Sequence, residues 1–89
     1  MATRQVAVAS SVGLHARPAS LFTRAVQGHG IPVTIAKEGG NPVNATSLLM
    51  VMGLGVKHGE TVELASDAEG AEAVLDELVA MLSRDLDAD

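Results

Sequence analysis

The run Gly13-Leu14-His15-Ala16-Arg17-Pro18-Ala19 sets an imidazole close before a guanidinium, with a proline directly after the pair. A neutral imidazole is a nucleophile near physiological pH, and a guanidinium is a permanently charged, planar donor fork suited to phosphate. Pro18 is tolerated in the first turn of a helix, where its missing N–H removes no intrahelical bond. The run therefore reads as a helix start, with His15 at or beside the N-cap. The first N–H groups of a helix have no intrahelical acceptor and carry partial positive charge, so Ala16 and Arg17 begin an anion site. The chemistry favoured by this combination is capture of a phosphoryl group by His15, its charge offset by the helix start and by Arg17. The same field disfavours the imidazolium and keeps the ring available to attack. The competing account is a histidine that only caps a helix, beside a solvated arginine.

No other group competes strongly for chemistry. His29 lies between Gly28 and Gly30, and His58 precedes Gly59. Neither has the i, i+4 spacing or neighbouring carboxylates of a metal site, so both read as loop histidines and no metal is expected. A hydrolase triad from Ser10 or Ser11, His15 and a distant Asp lacks a nucleophile elbow. Gly39-Gly40 and Gly53 to Gly55 carry no phosphate-loop or dinucleotide fingerprint and read as turns.

Three segments with period-two alternation surround these residues: Val6 with Val8, Val33 with Ile35, and Val62 with Leu64. Each reads as a strand buried on one face, which favours an antiparallel sheet covered on one side. Asn41 to Asn44 reads as a short fourth strand after a hairpin turn at Glu38-Gly39-Gly40-Asn41, with Pro42 placing it at an edge. From Ala16 to Gln27 the residues Ala19, Phe22 and Val26 recur at helical spacing, and Gly28 stands at the expected C-cap. From Asp67 to about Asp85 a wide apolar stripe runs through Ala71, Val74, Leu75, Leu78, Met81 and Leu82. Ser66 and Glu69 form a candidate capping box for its start. Ser47 is placed to cap a short third helix that ends at Gly53. Segregated helices over an antiparallel sheet make an α+β two-layer domain, order βαββαβα, spanning residues 1–89 as one unit.

On the short helix, Val51 and one flank can face the sheet, leaving Leu48, Leu49 and Met52 on the other side. Apolar side chains exposed together mark a contact surface, and flexible Met suits reuse with several partners. Ser20 and Arg24, on later turns of the first helix, would flank that patch.

The string GLHARPA resembles the active-site signature of the HPr family, the histidine-containing phosphocarriers of the phosphoenolpyruvate-dependent sugar phosphotransferase system (PTS). The segment Ser47 to Val56, SLLMVMGLGV, is similar to the family's regulatory-site segment. The resemblance spans nearly the whole chain and implies an open-faced two-layer β-sandwich, a four-stranded antiparallel sheet with three helices on one face. It implies that His15 is phosphorylated on Nδ1 by enzyme I, itself charged from phosphoenolpyruvate, and passes the group to the IIA domains of sugar permeases. Arg17 matches the arginine that holds the phosphoryl group, and Pro18 the proline that shapes the helix start. Both partners dock, in the family, through the first and the short helix. The resemblance implies a transfer intermediate, not a stand-alone enzyme. Ser47 matches a serine that a dedicated kinase modifies in some relatives, although Ala45-Thr46 stands where many regulated relatives place a basic residue. An N-cap serine is also explained by its backbone bond alone. Alternatives that keep the likeness are a carrier or regulator in a nitrogen-linked or dihydroxyacetone-linked relay, and a regulatory docking module.

Composition narrows the field further. A chain of 89 residues supports one core, so no cofactor with its own subdomain is expected. Aromatic residues are 1% of the chain, only Phe22, which removes stacking platforms for single-stranded nucleic acid. Cysteine is absent, which excludes disulfides and thiolate chemistry and suits a reducing cytosol. The net charge of −5 argues against nucleic acid as a partner. That charge is uneven. Residues 1–58 carry Arg4, Arg17, Arg24, Lys37 and Lys57 against Glu38, for +4, whereas residues 59–89 carry ten acids against Arg84, for −9. The basic portion holds both His15 and Ser47, so the acids are expected away from the active face, leaving Arg17, Arg24 and Lys57 to attract acidic partners. The longest apolar stretch, Leu48 to Val56, is broken by glycines and far short of the about 18 residues of a spanning helix. No signal-peptide run follows Met1. A cytoplasmic monomer without membrane insertion is the expected form.

Overall fold

The computed structural model describes residues 1–84, which run β1 (Ala2–Ala7), α1 (Ala16–His29), β2 (Thr34–Lys37), β3 (Val43–Asn44), α2 (Leu48–Gly53), β4 (Thr61–Ser66) and α3 (Ala71–Leu82). The strands form one sheet in the order β1-β4-β2-β3, with every neighbouring pair antiparallel. Val6 pairs with Val62, and Ile35 pairs with both Leu64 and Val43, so the apolar members of each alternating run fall on one face. Thr3, Gln5 and Glu63 occupy the opposite, exposed face, where the Gln5 amide reaches Glu63 Oε2 at 3.4 Å. This is the open-faced α+β sandwich expected from the alternation.

The core fills the space between sheet and helices. Val6, Val8, Val33, Ile35, Val62 and Leu64 meet Ala19, Phe22 and Val26 of α1, Leu75, Leu78 and Leu82 of α3, and Val51 of α2. Phe22, the single aromatic, is fully buried. Burying a side chain of this size is worth about 1.5–3 kcal/mol, so aliphatic packing around one ring suffices for a chain poor in aromatics. Among the described residues no helix is long and apolar enough to cross a membrane.

Three element boundaries differ from the sequence reading. Helix α1 continues through Gly28 to His29 and is closed by Gly30, whose φ of 71° provides the left-handed cap and whose N–H donates to the Gln27 carbonyl at 3.2 Å. His29 is therefore a helical residue rather than a loop one, and its Nε2 lies 3.0 Å from Glu77 Oε2 on α3. Helix α3 starts at Ala71, after Gly70 in the left-handed conformation, and the Ser66–Glu69 capping box does not form. Ser66 is buried at the end of β4, where its hydroxyl donates to the Pro32 carbonyl at 2.6 Å and accepts the Ala68 N–H at 3.2 Å. With Gly70 as the N-cap, Ser66 lies four residues before the cap position and its hydroxyl serves the β4 end instead. The fourth strand shrinks to two residues, because β3 meets β2 only at Thr34–Asn44 and Ile35–Val43, directly after Pro42. The turn at Glu38 to Gly40 forms as expected, with Gly39 at φ 77°. The expected helix end at Asp85 lies outside the described residues.

Candidate functional site

The segment 8–14 carries the chain from β1 to α1 and decides where His15 stands. Its amides and carbonyls are bonded across to the turn at 56–60. Val8 N–H donates to the Glu60 carbonyl at 3.0 Å, Gly59 N–H to the Val8 carbonyl at 2.8 Å, and Leu14 N–H to the Val56 carbonyl at 3.0 Å. His58 Nδ1 lies 3.2 Å from the Ser10 carbonyl, to which it donates when that nitrogen carries the proton. Ala9 N–H reaches the Leu82 carbonyl at 3.0 Å, tying the same segment to the end of α3. Gly13 is required at its position: φ is 71°, and a Cβ there would overlap the Val56 carbonyl oxygen and lie 2.8 Å from the Lys57 Cα. Leu14 is buried beneath the turn.

From this anchored base the chain emerges at His15. His15 is the N-cap of α1, extended at φ −108° and ψ 164°, and its carbonyl accepts the first helical bond, from Ala19 N–H at 3.1 Å. Its imidazole makes no cap hydrogen bond and is exposed. The backbone of His15 serves as the N-cap while its ring takes no part in capping. Ala16 enters the helix at φ +22°, the one positive-φ residue other than glycine among the described residues. Such a conformation costs about 1–3 kcal/mol and is held by what surrounds it. Arg17 is exposed on the first turn, and Pro18 is buried in that turn as its ring requires.

The other expected contact residues fall as follows. Arg24 is exposed and Ser20 half-buried on α1. On α2, Val51 is fully buried, whereas Leu48, Leu49 and Met50 are exposed by 40%, 81% and 48%. Met52 departs from expectation: it is half-buried and packs against the core, and Met50 takes its place on the outer face. Val12, beside the His15 base, is also exposed. Ser47 caps α2, its Oγ accepting the Met50 N–H at 3.3 Å.

Acids of the C-terminal portion pair with bases of the N-terminal portion across the fold. On α3, Asp76 pairs with Arg4 at 2.8 Å and Glu77 with His29 at 3.0 Å. Glu60 pairs with Lys37 at 3.3 Å. Its carboxyl is held below its ordinary pKa by the bond from the Lys57 N–H and, after that, by Lys37. Among the described residues no group of three or more His, Asp or Glu side chains could hold a metal.

A small α+β sandwich that presents an exposed histidine at the start of its first helix defines a class. Residues 2–84 match the family described as "PTS HPr component phosphorylation site". The chain is 56% identical over 87 residues to the phosphocarrier protein HPr of Streptomyces coelicolor, covering 98% of this chain and 94% of that one. Its fold is similar to HPr-C-His from Thermoanaerobacter tengcongensis, with a TM-score of 0.89, 28% identity and coverage of 100% and 99% of the two chains. It is similar also to a phosphocarrier protein HPr from Bacillus anthracis, with a TM-score of 0.84, 31% identity and coverage of 91% and 95%. The chain belongs to the PTS HPr family.

Proposed function

We propose that this chain is a phosphocarrier of the phosphoenolpyruvate-dependent sugar phosphotransferase system and that His15 is its acceptor. One observation carries the reading above the rest: His15 occupies the N-cap of α1 through its backbone while its imidazole is exposed and unused in capping. The lone pair of Nδ1 forms a bond to phosphorus as the bond from phosphorus to enzyme I breaks. The reverse exchange delivers the group to a IIA domain. In the charged state the phosphoryl oxygens sit against the positive end of α1, where Ala16 and Arg17 supply N–H groups and Arg17 a guanidinium. The protein takes part in both transfers and releases no product of its own, so it is a carrier rather than an enzyme.

Both partners must reach the same histidine, so they use the same face. Leu48, Leu49 and Met50 on α2, with Ser20 and Arg24 on α1, are the proposed docking surface, and a monomer keeps it open. Ser47 Oγ makes the N-cap bond that closes α2.

Incubation with enzyme I and phosphoenolpyruvate should add one acid-labile phosphoryl group to the wild-type chain and none to His15→Ala. An unchanged wild-type mass overturns the proposal. Ser47→Ala should be labelled as fast as wild type, and a loss confined to Ser47→Ala would instead favour a regulatory module.

A further inference from the structure

The anchoring of segment 8–14 on the turn at 56–60 raises the question of what holds the turn. Lys57 to Glu60 is a tight turn, with the Glu60 N–H donating to the Lys57 carbonyl at 3.0 Å and Gly59 at φ 83°. The Glu60 side chain folds back over it. Oε1 accepts the Lys57 N–H at 2.8 Å and lies 3.3 Å from Lys37 Nζ, which itself reaches the Gly55 carbonyl at 3.4 Å. One carboxylate oxygen thus joins the end of β2 to the peptide between Val56 and Lys57. That peptide is where Gly13 rests and where Leu14 N–H is bonded, one residue before His15.

We propose that Glu60 is a positioning residue for phosphoryl transfer, fixing through the Lys57 N–H the 56–57 backbone that sets the stance of Gly13-Leu14 and hence of His15. The carboxylate touches neither the acceptor nor a phosphoryl group. It acts at the far side of the turn, through the backbone. Because its carboxyl is held below the ordinary value, the anchor is a charged acceptor at neutral pH, and protonation in acid weakens it to the neutral acceptor that a glutamine would supply. The other charged or titratable groups at the turn are Lys37, Lys57 and His58, and none supplies a second acceptor for the Lys57 N–H. A displacement of the acceptor by about 1 Å is enough to cost a transfer step as much as 100-fold.

The inference rests on the phosphocarrier reading of His15, and the test separates the two. Steady-state transfer from enzyme I and phosphoenolpyruvate is compared for wild type, Glu60→Ala and Glu60→Gln, with the amide signals of Gly13, Leu14 and Lys57 followed by NMR. Glu60→Ala should lower kcat by about tenfold with KM for enzyme I within about twofold, since the docking face is untouched. Glu60→Gln, whose side-chain carbonyl still accepts the Lys57 N–H, should recover most of that loss. Should Glu60→Ala fail to fold, the wild-type protein carries the test: the three amide signals should move together as the Glu60 carboxyl is protonated. Unchanged kcat in Glu60→Ala overturns the inference, as does a Gly13–Leu14 response independent of Glu60 titration. A wild-type chain that takes no phosphoryl group overturns the function reading instead, while the coupled amide shifts still decide the positioning role.

Discussion

The N-termini of α1 and α2 are two solutions to the same problem of unpaired N–H groups, and they are built in opposite ways. At α2 the cap residue spends its own side chain, Ser47 Oγ accepting the Met50 N–H at 3.3 Å. At α1 the cap residue contributes only backbone, its ring exposed, and the next residue sits at φ +22°. The first end is closed by a local bond that any serine supplies. The second is held open from outside, by the 56–60 turn bonded beneath it. A helix start that is to receive an anion must keep its donors for that anion, so the support has to come from elsewhere in the fold.

Substitutions at these two helix starts bear directly on that contrast. Gly13→Ala attacks the external support, forcing a Cβ into the Val56 carbonyl at a φ of 71°. It should destabilise the chain by about 2–4 kcal/mol and slow labelling of His15, measured by thermal melting and by the transfer assay. An unchanged melting temperature would show that α1 does not depend on the turn. Ser47→Ala attacks the local cap and should cost about 1 kcal/mol, with labelling of His15 unchanged. Equal damage to labelling from both variants would erase the distinction drawn between the two ends. Ala16→Gly is the finest test. Glycine in a helix normally costs up to about 1 kcal/mol relative to alanine. At a φ of +22° the sign should reverse, with a gain of about 0.5 kcal/mol in denaturant unfolding. A loss of the ordinary size would mean that Ala16 is not held away from helical geometry.

How much of this could be read without coordinates follows from the range of the forces involved. The alternation of Val6, Val33, Ile35, Val62 and Leu64 is local and periodic, and it led directly to the sheet and its buried face. The helix start at His15 was readable for the same reason, because Pro18 and the spacing of Ala19, Phe22 and Val26 fix its phase. The failures involve partners far along the chain. Ser66 resembles a cap residue, but the left-handed Gly70 starts α3 only at Ala71, and the Ser66 hydroxyl bonds the distant Pro32 carbonyl instead. His29 looks like a loop residue between two glycines until Glu77 is brought beside it. The bond from the Lys57 N–H to Glu60 Oε1 spans one turn, but Lys37 joins it only because β2 pairs with β4. Periodicity does not distinguish Met50 from Met52 on the outer face, because α2 has six residues, too few to set its rotation.

The charge asymmetry also changes meaning with the fold. Asp76 and Glu77 are partnered by Arg4 and His29 on neighbouring elements. Glu63 lies on the open face of the sheet, opposite the helices. The exposed Arg17 and Arg24 are on α1, the helix that carries the candidate acceptor at its start.

The most direct measurement is to locate the phosphoryl group on the chain after charging with enzyme I and phosphoenolpyruvate, by NMR correlation of phosphorus with the imidazole nitrogens. The account predicts a single phosphoramidate at Nδ1 of His15, absent from His15→Ala and present in Ser47→Ala. A group found on His29, His58 or Ser47, or no group at all, would contradict it.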